Sequence, residues 1–332
     1  MKKILNDPAS YVDQTLEGLV AAHPEIYARP EPRVITRAGG AVPGKVGIVT
    51  AGGSGHLPVF TGYVGKGLLD AAAIGNVFAS PSAEQMASAM RHADGGAGVL
   101  RLYGNYGGDV MNFDMAGEMV EMEDDIRSTT VLLADDIASA PPEEAAKRRG
   151  VAGMVYAFKI AGALAEEKAD LDAVTAIAQK TADSCRSIGM ALTPCVVPEA
   201  GKPTFEIGED EMEMGMGIHG EPGIWRNTLR TADEITDEMI DRIFADLDPS
   251  QGDHWSVLVN SLGATPLEEL YIMYRKVAER LGGRGVTIVM PLVGRYATSM
   301  EMSGASITVC RLDGDLERLL KAPADCAFWT VS

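Results

Sequence analysis

Short apolar runs that stop abruptly at glycine-rich turns mark the first half of the chain. Val46–Thr50 leads into AGGSGH at positions 51–56, and Gly98–Tyr103 leads into GNYGGD at positions 104–109. A run of β-prone apolar residues that ends at glycines is typical of a buried strand that feeds a turn. In α/β folds such turns lie at the carboxyl ends of strands, where ligands bind. These two turns are therefore candidate binding loops.

Segments with helical periodicity alternate with these strands. The pattern predicts helices over residues 11–22, 110–122, 151–164, 170–188 and 267–281, the last of them behind a Thr-Pro-Leu-Glu capping box at 265–268. Asp109 stands directly before the second of these helices, where the residue that caps a helix belongs. Further strands are predicted at 131–133, 256–260, 286–290 and 307–310. The order of elements predicts an α/β protein with two sheets.

The length of the chain and a connection near its middle predict two domains. The chain has 332 residues, which exceeds the usual size of one domain. A connection punctuated by Pro and Gly spans residues 191–203 and follows the helix predicted up to Ile188. We therefore expect an N-terminal α/β domain over residues 1–188 and a C-terminal α/β domain over residues 189–332.

The segment FEIGEDEMEMGMGIHGEPG at 205–223 combines a strand pattern with a histidine. From Glu211 onward apolar residues alternate with others, and His219 falls on the same side as Gly215 and Gly217. Glycines inside a strand weaken its packing, so two of them leading up to an imidazole indicate that a ligand approaches the backbone there. The alternative is a histidine with a purely structural role.

Two patterns could have indicated a nucleotide site. The spacing G-x-G-x-x-G runs from Gly215 to Gly220, but the acidic residues within 209–213 repel a diphosphate, and Pro222 opposes the helix that such a turn must open. The nearest approach to a Walker sequence, around Lys66, lacks both its first glycine and its Ser or Thr. We expect no nucleotide to bind this chain, although a dinucleotide-dependent enzyme stays an alternative.

Composition excludes several classes of partner. A net charge of -18 repels nucleic acid and anionic membranes. The four cysteines have neither C-x-x-C spacing nor nearby histidine pairs, so we expect no metal site and no disulfide framework, but buried thiols in a reducing cytoplasm. No stretch approaches the ~20 apolar residues of a membrane span, and the first residues lack the apolar core of a signal peptide. These features predict a cytoplasmic protein.

Four stretches carry a resemblance to a known family. They are AGGSGHLPVFTGYVGKGLLDAAAIGNVFASPSAEQM at 51–86, NYGGDVMNF at 105–113, KRRGVAGMVYAFKIAGALAEE at 147–167 and EMGMGIHGEPG at 213–223. These stretches resemble those of the dihydroxyacetone kinase family, specifically its ketose-binding K subunit, and the likeness extends over nearly the whole chain. The resemblance implies that each domain is a mixed β-sheet flanked by helices. It also implies a homodimer, with each active site where the second half of a chain meets the loops of the first.

The resemblance implies roles for individual residues. His219 would hold a short hydroxyketone as a covalent hemiaminal, and His56 would act as a general acid/base. Asp109 would accept the proton of the hydroxyl group that becomes phosphorylated. The residues implied to contact the ketose are Gly53, Ser54, Gly55, Gly104, Asp109 and His219.

Two positions depart from the family pattern. Leu57 stands where the family usually has Glu, and Gly104 stands where the family usually has a lysine that reaches the substrate. Loss of both groups would lower the polarity of the pocket wall and enlarge the pocket. Loss of the lysine would also remove a charged hydrogen bond, so a C4 ketose such as erythrulose becomes an alternative substrate. A further alternative is a ketose sensor that docks to a regulator without catalysis. Such a sensor would need only His219.

The resemblance also predicts a partner. The family's L domain carries the nucleotide, and no part of this sequence resembles it. We therefore expect ATP or ADP with Mg on a separate L-type subunit, to which this chain presents its ketose.

Overall fold

The computed structural model describes residues 2–332, and the first half of this chain forms a six-stranded mixed sheet. Its elements in chain order are α1 (Tyr11–Ala22), β1 (Tyr27–Glu31), β2 (Val34–Arg37), β3 (Gly47–Ser54), β4 (Ala71–Val77), α2 (Ala83–Ala93), β5 (Val99–Gly104), α3 (Gly107–Asp124), β6 (Ser128–Leu133), α4 (Gly153–Glu166) and α5 (Leu171–Ser184). The strand order is β1-β2-β4-β3-β5-β6. β2 pairs antiparallel with β1 and β4, and the remaining neighbours are parallel.

The parallel strands bring four loops to one edge of this sheet. β3, β4, β5 and β6 run in the same direction, so their carboxyl ends lie side by side. The glycine stretches predicted as turns are partly strand and helix: Gly52 and Gly53 belong to β3, Gly104 belongs to β5, and α3 begins at Gly107. The short loops that remain after β3 and β5 lie at this edge. The prediction that they share the ligand-binding edge of a sheet is consistent with this topology.

The start of α3 differs from the prediction. The helix begins at Gly107, and Tyr106, which has an extended backbone, occupies the cap position. Asp109 therefore lies in the first helical turn, and its prediction as the cap was wrong. Gly107 and Gly108 follow the helical path, which places the carboxylate of Asp109 one turn further into the helix. Its side chain is free to face other loops.

The second half forms a seven-stranded mixed sheet. Its elements in chain order are β7 (Cys185–Thr193), β8 (Glu211–Met214), β9 (Trp225–Thr228), α6 (Ala232–Asp246), β10 (His254–Ser261), α7 (Leu267–Gly282), β11 (Thr287–Ile288), β12 (Leu292–Gly294), β13 (Ser303–Leu312), α8 (Gly314–Lys321), β14 (Ala324–Cys326) and β15 (Trp329–Val331). The order is β11-β10-β13-β7-β8-β9, with β12 also beside β10, while β14 and β15 form a separate hairpin. An apolar cluster packs α6 and α7 on one face of this sheet. Two mixed sheets flanked by helices confirm the predicted fold class.

Strand β7 replaces the end of a predicted helix. α5 ends at Ser184, and the following residues pair with β13 and β8 in the second sheet. The change from one sheet to the other therefore occurs before Cys185, and residue 188 lies inside a strand. The segment becomes a strand because β13 and β8 offer it backbone partners on both sides, which local periodicity does not report.

Helices α4 and α5 lie between the two sheets. Only Leu164 and Glu166 of α4 are not buried, which confirms the packed helix predicted there. The apolar cluster around α4 contains Leu102 from the first half and Leu258 from the second. Residues of α8 and of the β14–β15 hairpin join the same cluster, so the end of the chain returns to the first half. The two halves thus share one central core.

Backbone hydrogen bonds at Ser187 join the sheets directly. The Ser187 amide donates to the Asp135 carbonyl at 2.7 Å, and the Ser187 carbonyl accepts from the Ile137 amide at 3.0 Å. The buried carboxylate of Asp135 accepts from the amides of Val151 at 2.9 Å and Gly153 at 2.7 Å. These bonds fix the loop after β6 against the first strand of the second sheet.

The predicted capping box before α7 does not form. Pro266 occupies the cap position and makes no side-chain cap bond. The Thr265 hydroxyl instead donates to the Gly304 carbonyl at 2.7 Å and accepts from the Gly304 amide at 2.8 Å. Thr265 is buried beside β13, so tertiary hydrogen bonds replace the local cap.

Three further features bear on function: membrane spans, metal-binding groups and the state of the cysteines. No helix in the described part of the chain is long and apolar enough to cross a membrane. Within residues 2–332, no three His, Cys, Asp or Glu side chains converge into a group that could hold a metal ion. All four cysteines are buried free thiols, as predicted.

One buried asparagine holds the loop that follows β12. The Asn260 amide group donates to the Ala297 carbonyl at 2.7 Å, and its oxygen accepts from the amides of Tyr296 at 2.8 Å and Ala297 at 3.0 Å. The next residue, Thr298, reaches the first half of the chain. Asn260 therefore fixes a loop that bridges the two halves.

We predict that Asn260→Ala lowers the free energy of unfolding by about 2–4 kcal/mol, because it leaves buried backbone groups without partners. Urea denaturation measures the change. The matched control is Asn227→Ala, which removes an exposed asparagine from β9 and should cost less than about 0.5 kcal/mol. Equal effects for the two variants would contradict the prediction.

Candidate functional site

The structure brings the three predicted catalytic residues together. His56 lies in the turn after β3, Asp109 in the first turn of α3, and His219 in the loop after β8. The ring centroids of His56 and His219 are 4.8 Å apart, nearly perpendicular to each other. Burial raises the pKa of the Asp109 carboxyl group, and His219 lies close enough to oppose that rise. One residue from the second half thus meets two from the first.

His56 is held as a neutral acceptor. Its Nδ1 lies 2.7 Å from the Thr298 carbonyl, which can only accept, so Nδ1 carries the proton. Its Nε2 is buried and has no hydrogen-bond partner. Burial and the neighbouring His219 lower the pKa of His56 to about 3. At neutral pH its Nε2 therefore presents a free lone pair beside His219.

Glu221 orients His219 from two sides. The backbone amide of His219 donates to Glu221 Oε2 at 2.9 Å, and its ring Nδ1 lies 2.8 Å from Glu221 Oε1. A carboxylate beside Nδ1 keeps the proton there, which leaves Nε2 as the nucleophilic nitrogen. Burial alone would raise the pKa of Glu221, but the hydrogen bond and charge of His219 lower it to about 2. Glu221 therefore stays ionised in the working range.

The loop that carries His219 differs from the predicted strand. β8 ends at Met214, and Gly215 has a φ of 83°, so residues 215–219 do not continue the alternation. A Cβ at Gly217 would lie 2.2 Å from Glu221 Oε2, and one at Gly215 would lie 2.7 Å from Ala138. The prediction that these glycines clear a path for a ligand was wrong. They make room for the groups that support His219.

Arg149 connects this loop to the first sheet. Its Nη2 lies 2.7 Å from Asp136 Oδ2 and donates to the Gly215 carbonyl at 3.1 Å. Its Nη1 lies 4.0 Å from Glu221 Oε2. Asp136 stands in the loop after β6, so the position of the His219 loop is coupled to the edge of the first sheet. The positive charge of the Arg149 guanidinium also offsets the negative charges of the Asp136 and Glu221 carboxylates.

Asp109 is a buried carboxylate with a free oxygen. It is 6% exposed, and its Oδ1 has no hydrogen-bond partner. Burial raises its pKa to about 6, although the Ser80 hydroxyl and His219 act in the opposite direction. A carboxylate with such a pKa can take a proton from an alcohol during a reaction near neutral pH.

Two aromatic side chains enclose His219. The ring of Phe78 lies 5.4 Å from the His219 ring and stacks on His56 at 4.9 Å, and Tyr106 lies 4.8 Å from His219. The Tyr106 hydroxyl is buried and has no partner. These rings exclude water from one side of the imidazole.

Four residues that support the site had no role assigned from the sequence: Glu221, Arg149, Phe78 and Tyr106. All four lie within the stretches that carry the resemblance, so membership of those stretches was a usable signal. Phe78 adopts a φ of 59°, a backbone conformation that no local pattern predicts.

The turn at residues 53–55 borders the site from the opposite side. A Cβ at Gly53 would lie 2.6 Å from the Ala79 amide, and one at Gly55 would lie 2.7 Å from the ring of Phe78. The glycines thus let the Phe78 loop close over His56. Ser54 and Gly55 also line a cleft of about 590 Å³, which none of the three catalytic candidates lines.

The two departures from the family pattern lie in different places. Leu57 lines the separate cleft beside Ser54, not the space between the two histidines. Gly104 lies near the site, since a Cβ there would be 3.3 Å from Tyr106 Cε2 and 3.1 Å from the Gly150 carbonyl. Close neighbours already occupy the surroundings of that position. The expectation that both departures enlarge the ketose pocket was therefore wrong for Leu57. At Gly104 the place that a side chain would occupy is already bordered by Gly150 and Tyr106, so the missing side chain does not leave open space there.

The dinucleotide alternative lacks its structural context. The G-x-G-x-x-G stretch follows β8 but leads into β9, so no helix begins within it to meet a pyrophosphate.

Two sequence relatives cover nearly the whole chain. It is 44% identical to the "PTS-dependent dihydroxyacetone kinase 1, dihydroxyacetone-binding subunit DhaK" of Listeria innocua, over 99% of this chain and 100% of the relative. It is 43% identical to the "L-erythrulose 1-kinase" of Mycolicibacterium smegmatis, over 98% of this chain but only 57% of that longer protein.

Two solved structures also match nearly the whole chain. The "dihydroxyacetone kinase operon co-activator Dha-DhaQ" superposes with a TM-score of 0.87 at 30% identity, covering 94% of this chain and 96% of the other. The dihydroxyacetone kinase of C. freundii in complex with AMP-PNP and Mg2+ superposes with a TM-score of 0.89 at 29% identity, covering 99% of this chain and 61% of the other. The sequence model of the Dak1 domain matches residues 17–328. With a relative of 44% identity that is matched over its full length, this match establishes that the chain belongs to the dihydroxyacetone kinase family, as a member of the type of its dihydroxyacetone-binding DhaK subunits.

Proposed function

We propose that this chain is the ketose-binding subunit of a kinase, and that it presents a hydroxyl group of a short hydroxyketone for phosphorylation. The observation that supports this most is the set of unpartnered polar atoms around His219. His56 Nε2 and Asp109 Oδ1 are buried without hydrogen-bond partners beside a histidine whose Nδ1 is already engaged. Buried polar atoms are nearly always satisfied, so a polar ligand with several hydroxyl groups fits this place.

The ketose binds covalently to His219 in this proposal. His219 Nε2 attacks the ketone carbon, the N–C bond forms, and the electron pair of the C=O double bond moves to oxygen. The oxygen takes a proton from water, and the hydroxide that remains leaves to the solvent, where it balances the positive charge gained by the ring. The positive charge on the imidazole ring rests against the Glu221 carboxylate through the Nδ1 proton, which a distance of 2.8 Å supports.

Phosphoryl transfer then uses Asp109 and His56. Asp109 accepts the proton of the ketose hydroxyl as its oxygen attacks the phosphorus of the donor, and the donor's leaving oxygen takes the electrons of the broken P–O bond. His56 Nε2 accepts a hydrogen bond from the ketose, and His56 acts as the general acid/base that the family resemblance implies. The backbone at Gly53, Ser54 and Gly55 and the Gly104 region border the bound ketose.

The nucleotide is carried by a partner in this proposal. The longer relative from Mycolicibacterium smegmatis has a further part that this chain does not match, and the C. freundii kinase complexed with AMP-PNP and Mg2+ is also longer. A separate L-type subunit would supply that part, with ATP or with ADP that a phosphotransferase system recharges. The likeness to a dihydroxyacetone-binding subunit of a kinase with several subunits supports this division of labour.

We also propose a homodimer, as the family resemblance implies, and a location in the cytoplasm, which the four free thiols favour. We further propose two domains, with the boundary shifted from residue 188 to a position before Cys185, because β7 is a strand of the second sheet, where it pairs with β13 and β8.

Two other functions have support from specific observations. Similarity to an L-erythrulose kinase supports a C4 ketose as the substrate, and the glycine at 104 is compatible with it. Similarity to an operon co-activator supports a sensor. The sensor is the weaker candidate, because a ligand captured by His219 alone would not require the buried carboxylate of Asp109 or the free Nε2 of His56.

The first prediction about function concerns the covalent bond. A crystal soaked with dihydroxyacetone or erythrulose should show continuous electron density from His219 Nε2 to the ligand, and His219→Ala should bind no ketose while keeping its fold. Glu221→Gln is the matched variant, because it keeps the shape of the side chain at 221 but weakens the hydrogen bond that keeps the proton on His219 Nδ1. It should bind ketose more weakly than the wild type. A ligand lying free beside an unmodified imidazole would contradict the covalent step.

The second prediction concerns pH. Because burial raises the pKa of Asp109 to about 6, this carboxylate becomes protonated and unable to accept a proton as the pH falls through that value. kcat/KM with a saturating L-type partner should therefore drop about tenfold per pH unit below about pH 6. His56 has a pKa of about 3 and stays neutral over this range. Asp109→Asn should lower kcat by roughly 10²–10⁴-fold, and an unchanged profile down to pH 5 would rule out this base.

The third prediction separates C3 from C4 ketoses. If the chain is a C4 ketose kinase, kcat/KM for erythrulose should exceed that for dihydroxyacetone. Gly104→Lys should then shift the preference toward dihydroxyacetone by about 10-fold, because it restores a charged donor. Gly104→Ala is the control, since its methyl group adds the same crowding against Gly150 and Tyr106 without the charge. A strong wild-type preference for dihydroxyacetone would refute the C4 reading.

A further inference from the structure

An exposed apolar stripe runs along α3 from the turn that holds Asp109. The side chains of Met111, Met115 and Met122 are 60%, 43% and 86% exposed. With 3.6 residues per turn, their directions from the helix axis agree to within about 40°. We call these three residues the methionine face. Exposed apolar residues grouped on one side of a helix mark a surface that another molecule covers.

The methionine face is continuous with the candidate site. It begins beside Gly107 and Gly108, the exposed first turn of α3, which contains Asp109 as its next residue. A Cβ at Gly108 would lie 2.7 Å from the Ser80 hydroxyl, so this turn adjoins the loop that contacts Asp109. A molecule that delivers a phosphoryl group to a hydroxyl held at Asp109 must approach close to this turn. The same molecule would then lie along α3.

Acidic residues border the methionine face on one flank. Asp114, Glu118 and Glu121 are exposed, and their directions fall on the same side of the stripe. Within residues 2–332, Glu118 and Glu121 form no ion pair, and Asp114 makes only a long contact of 3.4 Å with Arg101. Two copies of this chain joined through this face would bring their carboxylates together. A partner with basic residues beside an apolar patch is complementary to it.

We propose that the methionine face is the docking surface for the nucleotide-carrying L-type subunit, which covers it with apolar side chains bordered by Lys or Arg. This inference rests on the proposed function for the identity of the partner. Methionine suits such a surface because its unbranched, polarisable side chain adapts to the shape of the partner. The acidic flank speeds and orients the encounter, and salt weakens that contribution.

The test uses the full chain and a purified L-type subunit from the same organism, loaded with ADP and Mg, in titration calorimetry. Met115→Lys replaces an exposed apolar side chain on the helix surface by a cation that repels a basic partner. It should weaken binding of the L-type subunit by at least about tenfold. Glu118→Lys should also weaken binding, and it should reduce the dependence of the affinity on salt.

Matched controls separate docking from general effects. Met115→Leu keeps an apolar side chain at the same place, and Ile272→Lys makes the same kind of change at a residue of α7 that is 49% exposed. Both should bind the partner within about twofold of the wild type. Met115→Lys should still form the ketose adduct at the wild-type level, because its side chain does not belong to the site. The chain mixed with Mg-ATP in the absence of the L-type subunit serves as the blank for the calorimetry.

Each outcome decides the proposal. If the wild type binds the L-type subunit and Met115→Lys binds it equally well, or if the wild type does not bind it, the docking surface is refuted. Conversion of a dimer to a monomer by Met115→Lys, with partner binding unchanged, would assign the face to a second copy and refute it as well. Binding that depends on Met115 without any phosphorylation of ketoses would uphold the docking surface and refute the proposed catalytic function instead.

Discussion

The arrangement of the site depends on the Glu221 carboxylate. Its two oxygens accept hydrogen bonds from the backbone and from the ring of the same histidine, which fixes the position, rotation and tautomer of His219 together. The absence of a side chain at Gly217 makes this possible, since a Cβ there would overlap the carboxylate. Arg149 then connects the loop to Asp136 at the edge of the first sheet. The orientation of a single imidazole is thus coupled to the way the two sheets meet.

Burial sets the chemistry of the groups around that imidazole. Excluding water from His56 lowers its pKa and keeps it neutral, whereas excluding water from Asp109 raises its pKa toward neutrality. Each unpartnered buried polar atom costs roughly 1–3 kcal/mol of stability in the free protein. Such a cost is typical of functional sites, where a ligand supplies the missing partners. The shared core around α4 provides the rigidity that maintains these groups in place.

The second half contributes more than the histidine itself. Asn260 holds the loop that presents the Thr298 carbonyl, and this carbonyl fixes the proton of His56 on Nδ1. The first half in turn supports the His219 loop through Arg149. Each half therefore sets the protonation or orientation of a group on the other, so the constellation exists only when both sheets are assembled. α3 extends this arrangement outward, since the turn that carries Asp109 continues into an exposed apolar face.

Local patterns in the sequence determined the elements whose residues repeat regularly. The helix at 11–22 was predicted to the residue, the buried helix α4 closely, and the positions of β3 and β5 correctly, although both strands extend into the glycine stretches predicted as turns. The stretches that resemble the family named His56, Asp109 and His219, which the structure brings together. Regular apolar spacing and long motifs suffice for these results, because they depend on neighbours in the chain.

Only the tertiary structure decided which partners each group has. β7 is a strand because β13 and β8 lie on either side of it, and Thr265 bonds to Gly304 instead of capping its helix. The glycines before His219 leave room for Glu221 and Ala138, although the alternating pattern predicted that they leave room for a ligand. These outcomes depend on residues far apart in the sequence that the fold brings within hydrogen-bonding distance. Periodicity reports which side of an element faces the core, but it carries no information about what that side meets there.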